Sequence, residues 1–382
     1  MRDVKSAISI LFALVLATGA AKLLPVAMRA ARESRGGARE RIAAVQKACR
    51  AEFPERYFFV DLNGLYARCA GRRRCNSVRL IDGGMLVRAK TGETLDPERC
   101  AAGLAELAAE HAARGARVLY AQLPGKPDTG SEKLSAAASV FLSRLQDGKI
   151  EVLDLRKRYA GTPELLERWF FRTDHHWNID AVLDAACVLA ARFGDARDLA
   201  PEGWTKRTLP YAFLGSQGKR TGQWFAGTDA LSYYEPVCGG HYRIDLVGGD
   251  GAVDVRQGGF DVLLDDEVLK TVPDVHEGNA YKIYRGIGGI TPHVRYRHGE
   301  ATNKMRLAVV GDSFVRPLGA LLSAAFADVL VVDPRYPCGG VSVRRRLRDF
   351  VPDVLVVAYN PFAFVRPKGL YAQYAFFEFP EG

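Results

Sequence analysis

Two stretches of the chain alternate between short apolar runs and longer segments with helical spacing. The first predicts a helix over about Pro97 to Arg114, a buried strand at Val118 to Leu123, a helix over about Glu132 to Leu145 and a strand at Ile150 to Leu155. A further helix is expected at Ile179 to Phe193, where V-L-D-A-A-C-V-L-A-A keeps an apolar stripe on one side. The second stretch predicts a strand at Arg306 to Val310, a helix at Arg316 to Phe326, a strand at Val329 to Val332, a helix at Val341 to Phe350 and a strand at Val354 to Ala358. Uninterrupted apolar strands between helices imply an α/β fold, with a parallel sheet covered by helices on both faces.

The pattern changes between about 200 and 300, where Gly-rich turns separate short alternating runs such as Tyr242 to Val247 and Phe260 to Leu264. This reads as a β-rich insertion. Near the start, Tyr57 to Leu62 (Y-F-F-V-D-L) is strand-like, and the Cys69 to Cys75 segment with the turn Asp82-Gly83-Gly84 breaks up a small β region before Leu95. Ahead of it, Ala30 to Glu55 is charged, Ala-rich and made of helix formers. The expected organisation is a membrane segment at 1–28, a helical stalk at 29–55, an α/β body at 56–365 that contains the insertion, and a tail at 366–382.

Arg2 and Lys5 precede Ala7 to Ala21, an apolar run with no charge, and Leu23 to Met28 resume that character after Lys22. The segment is expected to be a cleaved signal peptide or a short uncleaved anchor, either of which takes the body out of the cytoplasm. Lys22, Arg29, Arg32, Arg35 and Arg39 oppose that orientation by placing more positive charge after the segment than before it. The seven cysteines favour it, because C-A-G-R-R-R-C from Cys69 to Cys75 closes a short loop suited to a disulfide in an oxidising compartment. Cys49 with Cys100 and Cys238 with Cys338 are further candidate pairs, and Cys187 is expected unpaired in a core helix. The net charge of +9 points to anionic surroundings, but its clusters at Arg29 to Arg50, Arg72 to Arg74 and Arg344 to Arg348 accompany no nucleic-acid motif, so nucleic acid is not an expected partner.

The candidate chemistry sits where R-L-A-V-V runs into Gly311-Asp312-Ser313-Phe314 and then a helix. Ser313 is thereby placed at the carboxyl end of a parallel strand, where open α/β sheets bind ligands, and near a helix N-terminus whose free N–H groups can stabilise a developing oxyanion. Alone, Gly-Asp-Ser also reads as ordinary capping. A second cluster, R-T-D-H-H-W-N from Arg172 to Asn178, adds a carboxylate and an imidazole two residues apart, which is what a nucleophilic serine requires. The expected roles are Ser313 as nucleophile, His176 as base and Asp174 as its orienter. His175 competes with His176, and because successive side chains diverge in an extended segment only one should face Ser313. Asp-His-His also raises a zinc reading, but the other histidines are scattered, and neither metal nor cofactor is expected. Gly311 and Phe314 beside the serine, and His175 and Trp177 beside the imidazole, are candidates to line the oxyanion or substrate site. Asn360, Gly288 and Gly289 are candidates for a second oxyanion N–H, and Arg335 with Tyr336 for a sugar site beyond a strand end, against turn and packing duties for the same residues.

Together the two motifs resemble the SGNH-hydrolase-like group that includes the DHHW protein family and the alginate O-acetylation proteins. Asp174-His175-His176-Trp177 is the DHHW signature letter for letter, and further landmarks follow in order: Q-L-P-G-K at Gln122 to Lys126, F-L-G-S-Q-G-K-R-T-G from Phe213, G-G-F-D from Gly258, V-D-P-R-Y at Val332 to Tyr336 and the run to Asn360. The resemblance implies a flavodoxin-like SGNH fold with permuted motif order. It also implies O-acetyl transfer to, or hydrolysis from, a cell-envelope or secreted polysaccharide, with a membrane-bound O-acyltransferase as partner and source of the acyl group. Only about 20 residues follow Asn360, so glycan recognition is expected from the insertion rather than a C-terminal carbohydrate-binding domain. The alternative expectation is a non-catalytic envelope protein that binds glycan through a vestigial triad.

Overall fold

The computed structural model describes residue 19, residues 21–364 apart from 35, 54, 89–94, 127–130, 162, 195, 273, 289–290 and 337–339, and residues 376–380. Among the described residues, eight strands form the main sheet: β1 (Arg117–Gln122), β2 (Glu151–Asp154), β3 (Tyr242–Val247), β4 (Val253–Gly258), β5 (His293–His298), β6 (Asn303–Gly311), β7 (Phe326–Val332) and β8 (Val354–Tyr359). Their order is β2-β1-β8-β6-β7-β5-β3-β4. The first five in that order are parallel, and β5, β3 and β4 continue the sheet antiparallel. The sheet is therefore mixed rather than parallel throughout, because the segment expected as an insertion supplies half-exposed strands that extend one edge. That segment also forms a separate antiparallel pair, Trp204–Phe213 with Asp229–Pro236.

Side-chain alternation divides the parallel half into two cores. Leu119, Ala121, Leu307, Val309, Val354, Val356 and Ala358 face one side and pack with helices α3 (Ile179–Arg192) and α4 (Val315–Ala325). Tyr120, Ala308, Val310, Leu355, Val357 and Tyr359 face the other and pack with α1 (Pro97–Ala112), α2 (Ser131–Asp147) and α5 (Val343–Phe350). Helices cover both faces of the parallel strands, as the alternating pattern requires. The carboxyl ends of β1, β8, β6 and β7 lie side by side and leave Lys126, Asn360, Ser313 and Arg335 in the connections just beyond one sheet edge.

Three local expectations need correction. Tyr57 to Leu62 is not a strand but the start of a helix, Arg56–Cys69, whose buried positions are Asp61, Gly64 and Ala67. The spacing of three is helical, but small and polar residues are inside while Phe58, Phe59 and Leu62 are exposed, so the apolar pattern conceals the period. Phe260 to Leu264 is a 3-10 turn, Phe260–Leu263, with Phe260 and Leu263 buried one turn apart. Cys69 and Cys75 are both free thiols: Cys69 is exposed at the end of its helix, while Cys75 is buried against Val78, Leu86 and Phe225. Cys49, Cys100 and Cys238 are also free, and Cys338 lies outside the described residues. Cys187 is half-buried beside the first core and donates to the Leu199 carbonyl.

The stalk expected at 29–55 is broken, with helix over 21–33 and again at Ala38–Ala51. The apolar run before it lies mostly outside the described residues, as does most of the tail at 366–382. Among the described residues no helix is long and apolar enough to cross a membrane.

The second core is centred on Phe141, fully buried and in ring contact with Tyr120 at 4.8 Å, Phe364 at 4.9 Å and Phe377 at 5.0 Å. Phe141→Ala should cost about 3–5 kcal/mol through lost burial and a residual cavity. Urea unfolding would read this as a lower midpoint with an unchanged slope, and a loss below about 1 kcal/mol would contradict the packing described.

Candidate active site

β6 ends at Gly311 and the chain turns directly into α4. Gly311 is needed there by packing, since a Cβ would lie 2.6 Å from Val315 Cγ1 and 2.7 Å from the Ala358 carbonyl oxygen. Asp312 closes the turn by accepting the Phe314 N–H at 2.9 Å. Ser313 stands between them, half-buried, and its own N–H at the N-terminal end of α4 makes no hydrogen bond among the described residues. The helix dipole therefore meets an unoccupied donor beside the hydroxyl.

The loop before α3 brings the other half of the cluster, and Asn178 caps that helix through Asp180 N–H and Ala181 N–H. His176 Nε2 lies 2.8 Å from Ser313 Oγ, and His176 Nδ1 lies 2.5 Å from Asp174 Oδ1. Asp174 Oδ1 also accepts the His176 backbone N–H at 2.9 Å, and Oδ2 accepts the Ser216 N–H at 2.6 Å. Burial opposes ionisation of this carboxyl, but the imidazoles of His175 and His176 and the hydrogen bonds from His176 and Ser216 prevail and hold it well below the usual carboxylate range. An ionised carboxylate at Nδ1 fixes the tautomer that leaves Nε2 unprotonated toward the serine.

The histidine rings do not diverge as an extended segment would require. Their centroids are 3.8 Å apart, with His175 on the exposed rim and its Nδ1 2.7 Å from Ser216 Oγ. Asp174, His175 and His176 each offer a ligand atom within 4.8 Å of the others. Both ring nitrogens of His176 are already engaged, so a cation there would have to break the bond to Asp174 or to Ser313; the donor set does not fit a metal well.

Several flanking candidates have other duties. Trp177 is fully buried and donates to the Phe314 carbonyl at 3.1 Å, so it ties the two loops together. The Phe314 N–H is committed to Asp312, and its buried ring packs 4.9 Å from that of His176. Gly288 N–H is committed to the Thr291 carbonyl at 2.8 Å, and Gly289 lies outside the described residues. Asn360 is buried and reaches Asp312 Oδ2 at 3.3 Å. Arg335 is held by its own neighbour, with Nε 2.9 Å and Nη2 2.6 Å from the buried Asp333 carboxylate, and its guanidinium lies 5.4 Å from the half-buried Tyr336 ring. This ion pair stands beyond β7, next to the β6 turn, and Arg335 opposes the rise that burial imposes on the Asp312 carboxyl.

Solved structures match this architecture. Bacillus cereus PatB1 with a sulfonyl adduct aligns with a TM-score of 0.60 at 18% identity, over 80% of this chain and 97% of that one. PatB1 in a second structure gives 0.58 at 18% identity, over 78% and 99%. A DHHW family protein from Eubacterium siraeum gives 0.55 at 16% identity, over 77% and 95%. The chain shares their fold. The likeness expected from Asp174 to Trp177 is thus present in the architecture. No protein-family model matches the chain, and no curated protein does.

Sequence reasoning missed the residues that support the cluster. Tyr281, from the insertion, stacks on the His176 ring at 4.0 Å and 14°, and burial holds its phenol well above the ordinary range. Asp229 accepts the backbone N–H groups of Arg172 and Thr173, each at 2.8 Å. Lys126 is 4% exposed beneath the same loop. The F-L-G-S-Q-G landmark carried a usable signal: a Cβ on Gly215 would lie 2.3 Å from Asp174 Cβ and 2.5 Å from its Cα, so only glycine lets the insertion press against Asp174. Gly215→Ala should therefore destabilise the protein by about 1–3 kcal/mol through overpacking. Gly203→Ala, with open space around its Cβ, should stay within about 0.5 kcal/mol. Thermal or urea unfolding of the two variants checks this, and equal effects would contradict the close approach.

Proposed function

We propose that the protein is an extracytoplasmic O-acyltransferase or acetylesterase that acts on a cell-envelope or secreted polysaccharide through Ser313, His176 and Asp174. The observation that carries the reading is the continuous relay of 2.8 Å from Ser313 Oγ to His176 Nε2 and 2.5 Å from His176 Nδ1 to Asp174. In the first step Ser313 Oγ bonds to the acyl carbon while His176 takes the hydroxyl proton. The carbonyl π pair moves onto oxygen, where the Ser313 N–H at the start of α4 is the candidate donor. Collapse breaks the bond to the leaving alkoxide, which receives the proton from His176 and leaves an acyl-Ser. A glycan hydroxyl or water then attacks the acyl carbon, its proton passing through His176 back to Ser313.

The substrate class rests on the resemblance to DHHW and alginate O-acetylation proteins. PatB1, whose fold the chain shares, is known with a sulfonyl adduct, and sulfonyl halides are electrophiles that trap activated nucleophiles by losing halide. A membrane-bound O-acyltransferase as acyl source, and an N-terminal segment that carries the body across the membrane, belong to the same reading. The binding-only alternative would be favoured by His176 beyond hydrogen-bond reach of Ser313, and the distance of 2.8 Å supports the catalytic reading instead.

Two variants test the proposal. Ser313→Ala should abolish hydrolysis of p-nitrophenyl acetate and labelling by a sulfonyl fluoride, with circular dichroism unchanged. Asp174→Asn, which reverses the favoured tautomer, should lower kcat by about 10⁴ with little change in KM. Undiminished turnover in either variant would overturn the assignment.

A further inference from the structure

Lys126 belongs to the Q-L-P-G-K landmark but has no part in the relay just described. It follows β1, is 4% exposed, and makes no ion pair among the described residues. Its Nζ instead donates to three backbone carbonyls, of Leu86 at 2.8 Å, Arg172 at 3.0 Å and Asp174 at 2.6 Å, and approaches Gln217 Oε1 at 3.3 Å. These acceptors come from the small N-terminal sheet, the loop before α3 and the insertion. A buried ammonium is costly to retain unless its donors are used. Here they converge on the peptide of the residue that orients His176.

We propose that Lys126 is a positioning residue, whose ammonium fixes the peptide of Asp174 and so aims its carboxylate at His176 Nδ1. The inference rests on the triad reading of Asp174, His176 and Ser313. The Asp174 side chain leaves a backbone gripped on both sides of its Cα: Asp229 holds the N–H groups of Arg172 and Thr173, and Lys126 holds the carbonyls of Arg172 and Asp174. Ser216 completes the aim by binding the second carboxylate oxygen. The long stem of Lys126 lets its amine reach these carbonyls from the connection that follows β1. Burial pushes the Lys126 ammonium down to about 7, against the pull of the Asp174 and Asp229 carboxylates. The neutral amine has two N–H groups in place of three, so the grip loosens as pH rises.

The groups that face His176 are Asp174 and His175 on its own loop, Ser313 and Asp312 before α4, and Tyr281 of the insertion; those that face Lys126 are Asp174 and Asp229. Lys126→Met removes the donors and keeps most of the volume, and Lys126→Gln is made in parallel. Two measurements on the full chain distinguish position from mere architecture. In either folded variant kcat for p-nitrophenyl acetate should fall between about tenfold and a hundredfold with KM unchanged, as expected when a catalytic group is misplaced by a fraction of an ångström to an ångström. The low-field proton resonance of the His176 Nδ1–H bonded to Asp174 should weaken or move upfield.

An unchanged low-field resonance would overturn the inference, and so would loss of fold in both variants, which would make the residue architectural. The resonance is read without turnover, so an unaltered resonance with an active Ser313→Ala variant would condemn both readings separately.

Discussion

The arrangement depends on a hydrogen bond between side chains 137 residues apart in sequence, from His176 on the loop before α3 to Ser313 on the turn after β6. Neither loop could hold that geometry alone. Trp177 donates to the Phe314 carbonyl beside the relay, and Phe314 and Tyr281 pack against the imidazole. The ring therefore has little freedom other than the direction that joins Asp174 to Ser313. Such enclosure is how a fold fixes reacting groups in advance of the substrate.

The insertion is part of this arrangement rather than an appendage. Gly215 and Gly218 allow its loop to lie against Asp174 and Thr173, and the Thr173 carbonyl accepts the Gln217 N–H at 3.0 Å and the Gly218 N–H at 2.8 Å. Ser216 then reaches the carboxylate, while Tyr281, much later in the same segment, covers the back of the imidazole. Buried charge is distributed around the relay in compensated form: Asp174 against imidazole and N–H donors, Asp333 against Arg335, and Lys126 against carbonyl oxygens. Each arrangement meets the requirement that a buried ion be matched by polar partners.

Much of this was legible in sequence because the parallel half follows simple rules. Apolar strands at Arg117–Gln122, Asn303–Gly311 and Val354–Tyr359 alternate with amphipathic helices, and the Gly-Asp-Ser turn lies where a strand must meet a helix. Asp174 and His176 were legible as a local pair. What was hidden depends on contacts distant in sequence. Helix Arg56–Cys69 buries Asp61 because the Gln223 N–H and side-chain amide bind its carboxylate, so its apolar residues point outward and mimic a strand. β5 and β3 read as an insertion because nothing local reveals that β5 pairs with β7. The roles of Lys126 and Tyr281 were equally invisible, since each is defined by the peptide or ring it meets.

The central claim is that Ser313 is activated by His176 to accept an acyl group. Its most direct test is peptide mass spectrometry after brief exposure of the protein to an activated acetyl ester and rapid acid quenching. The account predicts one added acetyl group, located on Ser313. An acetyl group confined to surface lysines, with Ser313 unmodified at every time point, would contradict it.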